Sequence, residues 1–324
     1  MENGVILKIV FKKNCLSYDI LKWFIALDLI DFKNIRYKKG NKPAKEIVYS
    51  KEKFDMILID LLKNEDRFIF EAYDNQYDFC LPKKDNSFLL SISFNGEIFI
   101  KNKTKLFKFI DDIFNNDFGY VAFICHNDDI TWQNIDDLDY IKAKNQPYEH
   151  LKLIPHPYFS GQMIVDIEQN PGHSHMVNDL WFGSCWVMWF GNDYYQYIPE
   201  NLIASFKDGY ENIQLDSGAR RVLLYEDIFS FDKPENRIIQ KKFRDITGMD
   251  VVAHNLMNRP PENIDPTIEI LNGHFENGGT KMMKRYLNNE NEMIEKSKAV
   301  KVEIREIEVI DNRWKTISIK VDNI

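Results

Sequence analysis

The apolar positions near the start of the chain have strand-like spacing first and helix-like spacing afterwards. Residues 5–11 form a short apolar run that suits a buried strand. Ser17 and Ser50 each precede apolar residues on a helical period. Because serine is a preferred helix cap, we expect a helix after each of them.

A β-rich stretch follows over residues 67–100, where apolar and polar positions alternate. Asn95-Gly96 lies between two apolar runs, which is a strong local hairpin signal, so a turn is predicted there. Residues 104–114 have the period of a third helix, and residues 119–125 form another apolar run. Residues 1–126 therefore predict an α+β arrangement, a mostly antiparallel sheet with helices on one face.

The most apolar stretch of the chain is 180–206, which holds three of the six tryptophans. Residues 180–190 are too rich in aromatic residues for a surface helix, so a buried strand is predicted. Gly183 and Gly191 would allow bends or a close backbone approach. Because 180–197 contains no lysine or arginine, a stacking platform for bases or sugars is disfavoured. A protein–protein hot spot is a further interpretation, and core packing, the commonest fate of such a segment, is favoured over both.

The rest of the second half mixes turns, helices and strands. The predictions are a hairpin turning at 216–218, a helix over 235–247 ended by Gly248, an irregular loop over 255–280, a polar helix over 281–298, and a terminal hairpin of 300–309 and 314–321 that turns at 311–312 with a bulge at 305–306. The whole chain is thus predicted as α+β, with antiparallel-leaning sheets, helices packed on them, and two halves.

Composition narrows the class of protein. The 324 residues are 44% hydrophobic and 28% charged, which is ordinary for a globular chain. The net charge of −8 argues against a basic face for nucleic acid. No window is long and apolar enough for a membrane span. Four separated cysteines and the absence of a signal-like leader predict a cytoplasmic protein with free thiols.

An acidic segment lies between the two halves, and a proline-containing, loop-like connection follows it. A boundary near residue 150 is predicted, with an N-terminal α+β domain over 1–150 and a C-terminal domain over 151–324. The acids are interleaved with aromatic residues, which is what a protein needs to bind a basic partner. The predicted partner-binding residues are Asp128, Asp129, Trp132, Asp136, Asp137, Asp139 and Tyr140. A merely solvated helix face is the competing interpretation.

His173 and His175 are the best metal-ligand candidates, because imidazoles with nearby carboxylates suit zinc or iron. On a strand both rings would point to one face. A His-x-His pair alone is a weak signal, and the competing interpretation is two exposed or loop-stabilising histidines. No cofactor is predicted, because the sequence carries no P-loop, GxGxxG, GxSxG or HExxH pattern.

Residues 178–250 resemble a family. The order is WFGSCWVMWFG, then YYQYIPENLIASF, then RRVLLYEDIFSFDKPENRIIQKKFRDITGMD. It is similar to the second half of immunity proteins that accompany bacterial polymorphic or type VI-like toxins. The shared motifs are structural, and the resemblance implies tight binding to one toxin and no active site.

The leading expectation is a non-enzymatic binding protein that neutralises a cognate toxin, expected to be basic, by occlusion. One alternative is a metal-dependent hydrolase that uses His173 and His175. Another is a structural subunit of a bacterial defence complex. The sequence leaves the oligomeric state open.

Overall fold

The computed structural model describes residues 4–40, 42–83, 87–155, 163–258, 267–273, 280–310 and 313–324. Two compact units divide the chain. The first contains Met1–Ile135 and Ile167–Met257, and the second contains Asp136–Asp166 and Asn258–Ile324.

Strands and helices cover most of the described residues. The strands are β1 Gly4–Lys12, β2 Asn34–Lys39, β3 Lys45–Val48, β4 Phe68–Tyr73, β5 Asp78–Lys83, β6 Ser87–Asn95, β7 Gly119–His126, β8 Leu153–Pro155, β9 Met163–Val165, β10 Ser174–Val177, β11 Leu180–Gly183, β12 Val187–Phe190, β13 Glu211–Gln214, β14 Arg220–Leu223, β15 Ile268–Gly273, β16 Thr280–Leu287, β17 Lys301–Ile310 and β18 Arg313–Asn323. The helices are α1 Tyr18–Ile25, α2 Lys51–Asn64, α3 Gly96–Asn115, α4 Asn127–Asn134, α5 Leu138–Ala143, α6 Glu200–Ser205, α7 Pro234–Thr247 and α8 Met249–Asn258. Among them, no helix combines the length and apolar character that a membrane span requires.

The first unit is built on a ten-stranded sheet in the order β13-β14-β12-β7-β1-β6-β5-β4-β2-β3. Its central strand β1 pairs antiparallel with both β6 and β7. β12 then joins β7 with Val187 opposite Ile124. The α+β class with antiparallel sheets is confirmed.

The division of the chain differs from the predicted boundary near residue 150. Strands β12, β13 and β14 come from the second half of the sequence, but they extend the sheet of the first half through β7. Hydrogen bonding between distant segments, which the sequence pattern does not record, produces this division.

The predicted helix caps are present. Ser17 Oγ accepts a hydrogen bond from the Ile20 backbone amide, and Ser50 Oγ accepts one from that of Lys53. Gly248 ends α7 with a φ of 64°, a conformation that glycine adopts without strain. These helices bury their apolar faces against the sheet.

The predicted hairpin at Asn95-Gly96 is wrong. Asn95 Oδ1 accepts a 2.7 Å hydrogen bond from the Glu97 amide, so it caps α3. The helix then runs unbroken to Asn115 and buries Phe99 with Leu106 on one face. Asparagine suits both turns and helix caps, and the helical spacing of the following apolar residues decides for the cap.

The aromatic stretch is buried as predicted, but it forms two strands. Every residue of β11 and β12 is buried; β11 pairs with β10, whereas β12 lies in the large sheet. A Cβ added at Gly191 would lie 2.2 Å from the Gly119 carbonyl oxygen, so only glycine allows the two backbones this approach.

The second unit contains a four-stranded antiparallel sheet, β15-β16-β17-β18, and the two-stranded pair β8-β9. The terminal hairpin is confirmed, with its irregularity between Glu306 and Ile307; its predicted turn, 311–312, lies outside the described residues. The polar helix predicted over 281–298 is wrong, because β16 pairs on both sides and burial of Tyr286 and Leu287 outweighs helix propensity. The loop predicted over 255–280 contains the end of α8 and all of β15; much of the rest lies outside the described residues.

Candidate functional site

The predicted partner-binding residues are divided between the two units. Asp128, Asp129 and Trp132 lie on α4 in the first unit. Asp136, Asp137, Asp139 and Tyr140 lie at the start of α5 in the second unit.

Asp129 lies in the interior, only 1% exposed. Its carboxylate forms an ion pair with Arg237 and accepts hydrogen bonds from Tyr225 Oη at 3.3 Å and Gln240 Nε2 at 3.1 Å. Burial raises the pKa of Asp129, and Arg237 opposes that shift. The structure therefore places Asp129 away from the predicted surface, where it joins α4 to α7.

Asp128 and Trp132 are half-buried on α4. The ring of His126 caps this helix, because its Nδ1 accepts a 3.1 Å hydrogen bond from the Asp128 amide. The same ring stacks on Phe231 at 4.5 Å between centroids. These contacts set the position of α4, and they leave Asp128 and Trp132 partly accessible to a partner.

The acids of the second unit are on the surface. Asp136, Asp137 and Asp139 are exposed, and Tyr140 is 44% exposed. Asp137 also caps α5, since its Oδ1 accepts a 2.9 Å hydrogen bond from the Tyr140 amide. Carboxylates are stabilised at a helix N-terminus, so this acidic turn is compatible with the helix that carries it. We call Asp136, Asp137, Asp139 and Tyr140 the acidic turn.

A second group of candidate residues comes together in the first unit. Glu168 lies in a short 3-10 helix, His175 lies on β10, and His173 directly precedes that strand. His254 comes from α8. The Nε2 atoms of His173 and His254 each lie 3.1 Å from Glu168 Oε2, and Nε2 of His175 lies 3.1 Å from Oε1 and 3.4 Å from Oε2.

The polar groups around His173 define its protonation pattern. Nδ1 lies 2.6 Å from the Asn170 carbonyl oxygen, which can only accept, so Nδ1 carries the proton. Nε2 accepts a 2.6 Å hydrogen bond from Arg244 Nη2. Arg244 also donates to the His173 carbonyl oxygen and pairs with Asp250. His173 is thus a buried, oriented imidazole with its lone pair on Nε2.

Electrostatics favour a neutral imidazole at His175 and ionised carboxylates at Glu168 and Asp250. Burial lowers the pKa of His175 more than Glu168 raises it. Burial raises the pKa of Glu168, but contacts with the three histidines outweigh it and the net shift is downward. Burial also raises the pKa of Asp250, but the contacts with His173 and Arg244 outweigh it and bring the pKa to about 2.

Only part of this group is recognisable in the sequence. His173 and His175 do converge, with ring centroids 5.3 Å apart, but Ser174 lies between them and His173 precedes the strand. The sequence reasoning missed His254, which falls at the edge of the predicted 255–280 loop. Asp250 and His254 are four residues apart, and a helical interpretation of 249–258 would have placed them on one face.

Comparisons with known proteins show only a weak structural likeness. No protein-family model matches the chain, and the search of curated proteins found no match. Among solved structures, the chain is similar to the Pseudomonas aeruginosa T6SS protein PA0821, with a TM-score of 0.43 and 10% identity over 76% of this chain and 74% of that one. A TM-score of this size does not establish a shared fold.

Proposed function

We propose that the chain is a non-enzymatic binding protein that neutralises a cognate protein toxin by occluding it. The observation that carries this proposal is the acidic turn, where three exposed carboxylates lie beside the exposed ring of Tyr140. The charges steer a basic partner during approach. The ring supplies the apolar area that a contact needs once water is expelled.

Asp128 and Trp132, on the first unit, are proposed as partner-binding residues of that unit, separately from the acidic turn. Both side chains are half-buried, so a partner would complete their burial. Asp129 is excluded from the proposed partner-binding residues, because its carboxylate already has three interior partners.

The resemblance of residues 178–250 to immunity proteins supports the same proposal. In this chain those residues form buried strands and the helix that packs beside them, which is a structural role. Immunity proteins act by binding rather than by chemistry, as proposed here. The proposed setting is the cytoplasm, whose reducing conditions suit the four free cysteines.

The test uses the products of the genes on either side of this coding sequence. Each product is purified and titrated with the full chain, and the association rate is measured at low and high salt. We expect one of them to bind stoichiometrically. Replacing Asp136, Asp137 and Asp139 by asparagine should slow association by roughly 10-fold at low salt and much less at high salt.

Asparagine is chosen because it still caps α5 at position 137. A matched control removes three exposed carboxylates from the first turns of other helices, by Glu52→Gln, Glu97→Gln and Glu235→Gln. The control should change the rate less than about 2-fold. Failure of both neighbouring products to bind would overturn the proposal.

A further inference from the structure

We propose that Glu168, His173, His175 and His254 form a structural zinc site within the first unit. This inference is independent of toxin binding, because none of the four residues belongs to the proposed contact surface. Three imidazoles and one carboxylate are a donor set that zinc accepts.

Three of the distances within the group have the length of tetrahedral edges. A tetrahedral zinc ion with bonds of about 2.0–2.1 Å places neighbouring ligand atoms about 3.3 Å apart. From Glu168 Oε2, the Nε2 atoms of His173, His254 and His175 lie at 3.1, 3.1 and 3.4 Å. The ligand atoms of Glu168, His173 and His175 also lie within 4.8 Å of one another. His254 does not belong to that set, so its ring, 43% exposed, must turn toward the other two rings for zinc to take all four ligands. One oxygen thus meets three ring nitrogens at the spacing of tetrahedral edges.

The Nε2 lone pair of His173 faces both a carboxylate and a cationic donor. Because its Nδ1 proton goes to the Asn170 carbonyl, the bare Nε2 faces the Glu168 carboxylate at 3.1 Å. Two electron-rich atoms at that distance need a positive charge beside them; Arg244 supplies it now, and zinc would supply it in the loaded site. A metal-bound histidine that donates its other N–H to a carbonyl is also the usual arrangement around zinc.

Zinc must displace Arg244 from His173, because the Arg244 Nη2 now donates to the same Nε2. Its other hydrogen bonds, to Asp250 and to the His173 carbonyl oxygen, hold the guanidinium in place without that contact. Its charge is balanced by Asp250, so Glu168 adds one net negative charge where the cation would bind. The surroundings therefore favour a divalent ion over a second positive side chain.

With His254 turned in, four protein ligands would fill all four tetrahedral positions, which is the mark of a structural site rather than a catalytic one. The ligands come from a 3-10 helix, the start of β10 and α8. Zinc would thereby cross-link α8 to the segment before the aromatic strands. This assignment differs from the metal-dependent hydrolase that His173 and His175 suggested, because it leaves no position for water.

The experiment uses the full chain, purified without a polyhistidine tag, stripped with a chelator and then titrated with Zn²⁺ alone. We expect one zinc per chain by elemental analysis and a rise in Tm of about 5 °C or more under saturating zinc. Titration with Co²⁺ should give the visible spectrum of a tetrahedral nitrogen and oxygen site without thiolate bands, since the free cysteines are not ligands.

Two variants test the ligands without disturbing the buried His173. Glu168→Gln keeps the shape of the side chain, and His254→Ala changes a ring that is 43% exposed in its side chain. Each should weaken zinc affinity at least about 10-fold and abolish most of the rise in Tm. His150→Ala, at an exposed histidine outside the group, is the control and should bind zinc like the wild type. Less than stoichiometric zinc on the folded wild-type protein, or unchanged affinity in both ligand variants, would overturn the proposal.

Discussion

The indole Nε1 of Trp189 donates a 2.7 Å hydrogen bond to Asp111 Oδ1. This bond joins β12, at the centre of the aromatic stretch, to helix α3 from the first part of the chain. Arg221 pairs with the other oxygen of the same carboxylate, so the half-buried charge is compensated. The contact explains how a strand without lysine or arginine is held by a polar group.

Asp111→Ala should lower the free energy of unfolding by about 2–4 kcal/mol, because it leaves the Trp189 indole and the Arg221 guanidinium without this acceptor. Asp111→Asn keeps an acceptor for the indole and should lower the free energy of unfolding by less. Urea unfolding followed by tryptophan fluorescence measures both. Asp112→Ala, on the exposed side of the same helix, is the control, and an equal loss in all three would contradict the prediction.

Gly191→Ala should cost about 3 kcal/mol or more, or prevent folding, since its Cβ would meet the Gly119 carbonyl oxygen at 2.2 Å. Backbone cannot move aside as a flexible side chain can. Gly248→Ala is a useful comparison: it has positive φ but nothing within 4 Å of the added Cβ. That variant should lose only about 1–2 kcal/mol by thermal unfolding, from backbone strain alone. Similar losses at both positions would count against a steric cause.

Asp129→Asn should reduce stability by about 3–5 kcal/mol, because it leaves Arg237 without its buried counter-ion. Among folded molecules it should leave partner affinity unchanged. Asp139→Asn should instead keep the free energy of unfolding within about 0.5 kcal/mol of wild type and slow the association with the partner. Chemical unfolding and binding kinetics on the same two proteins separate the roles. A folded Asp129 variant with weakened binding would return that residue to the contact surface.

His126 should make stability depend on pH. Burial lowers its pKa below 6.5 in the folded state, although Asp128 and Asp129 oppose the shift. Below about pH 6.5 the unfolded chain therefore binds a proton at His126 that the folded chain resists. The contribution of His126 to the free energy of unfolding is thus fully present above that pH and is lost as the pH falls through it. Each unit by which the pKa of His126 is lower in the folded than in the unfolded state changes the free energy of unfolding by about 1.4 kcal/mol.

The variant His126→Asn checks this pH effect, because asparagine can still cap α4 but does not titrate. Unfolding free energies are compared for the two proteins between about pH 7.5 and 5. The variant should lose less stability than wild type across that range. Parallel curves would show that His126 contributes nothing to the dependence.

Local signals in the sequence predicted local structure well. Ser17, Ser50 and Gly248 act as caps because each forms its hydrogen bond within a few residues along the chain. The burial of 180–190 followed from apolar area alone. The hairpin predicted at Asn95-Gly96 is wrong because asparagine favours both tight turns and helix caps, and only the packing of the next helix distinguishes the two.

Long-range pairing was beyond a single sequence. The polar residues of 281–298 favour a helix locally, yet β16 has a hydrogen-bonded neighbour on each side. His254 and Glu168 are 86 positions apart, and only the fold brings the imidazole to the carboxylate. Asp129 looked like its acidic neighbours in the sequence, but its burial depends on Arg237 and Gln240 from α7.

The most direct test of the central claim is growth of bacteria that express each neighbouring gene product with and without this chain. If the chain neutralises a toxin, one neighbour should arrest growth alone, and co-expression should restore it. Restoration should weaken in the Asp136, Asp137 and Asp139 asparagine variant but persist in the Glu52, Glu97 and Glu235 control. Growth arrest that co-expression does not relieve, or no arrest by either neighbour, would contradict the account.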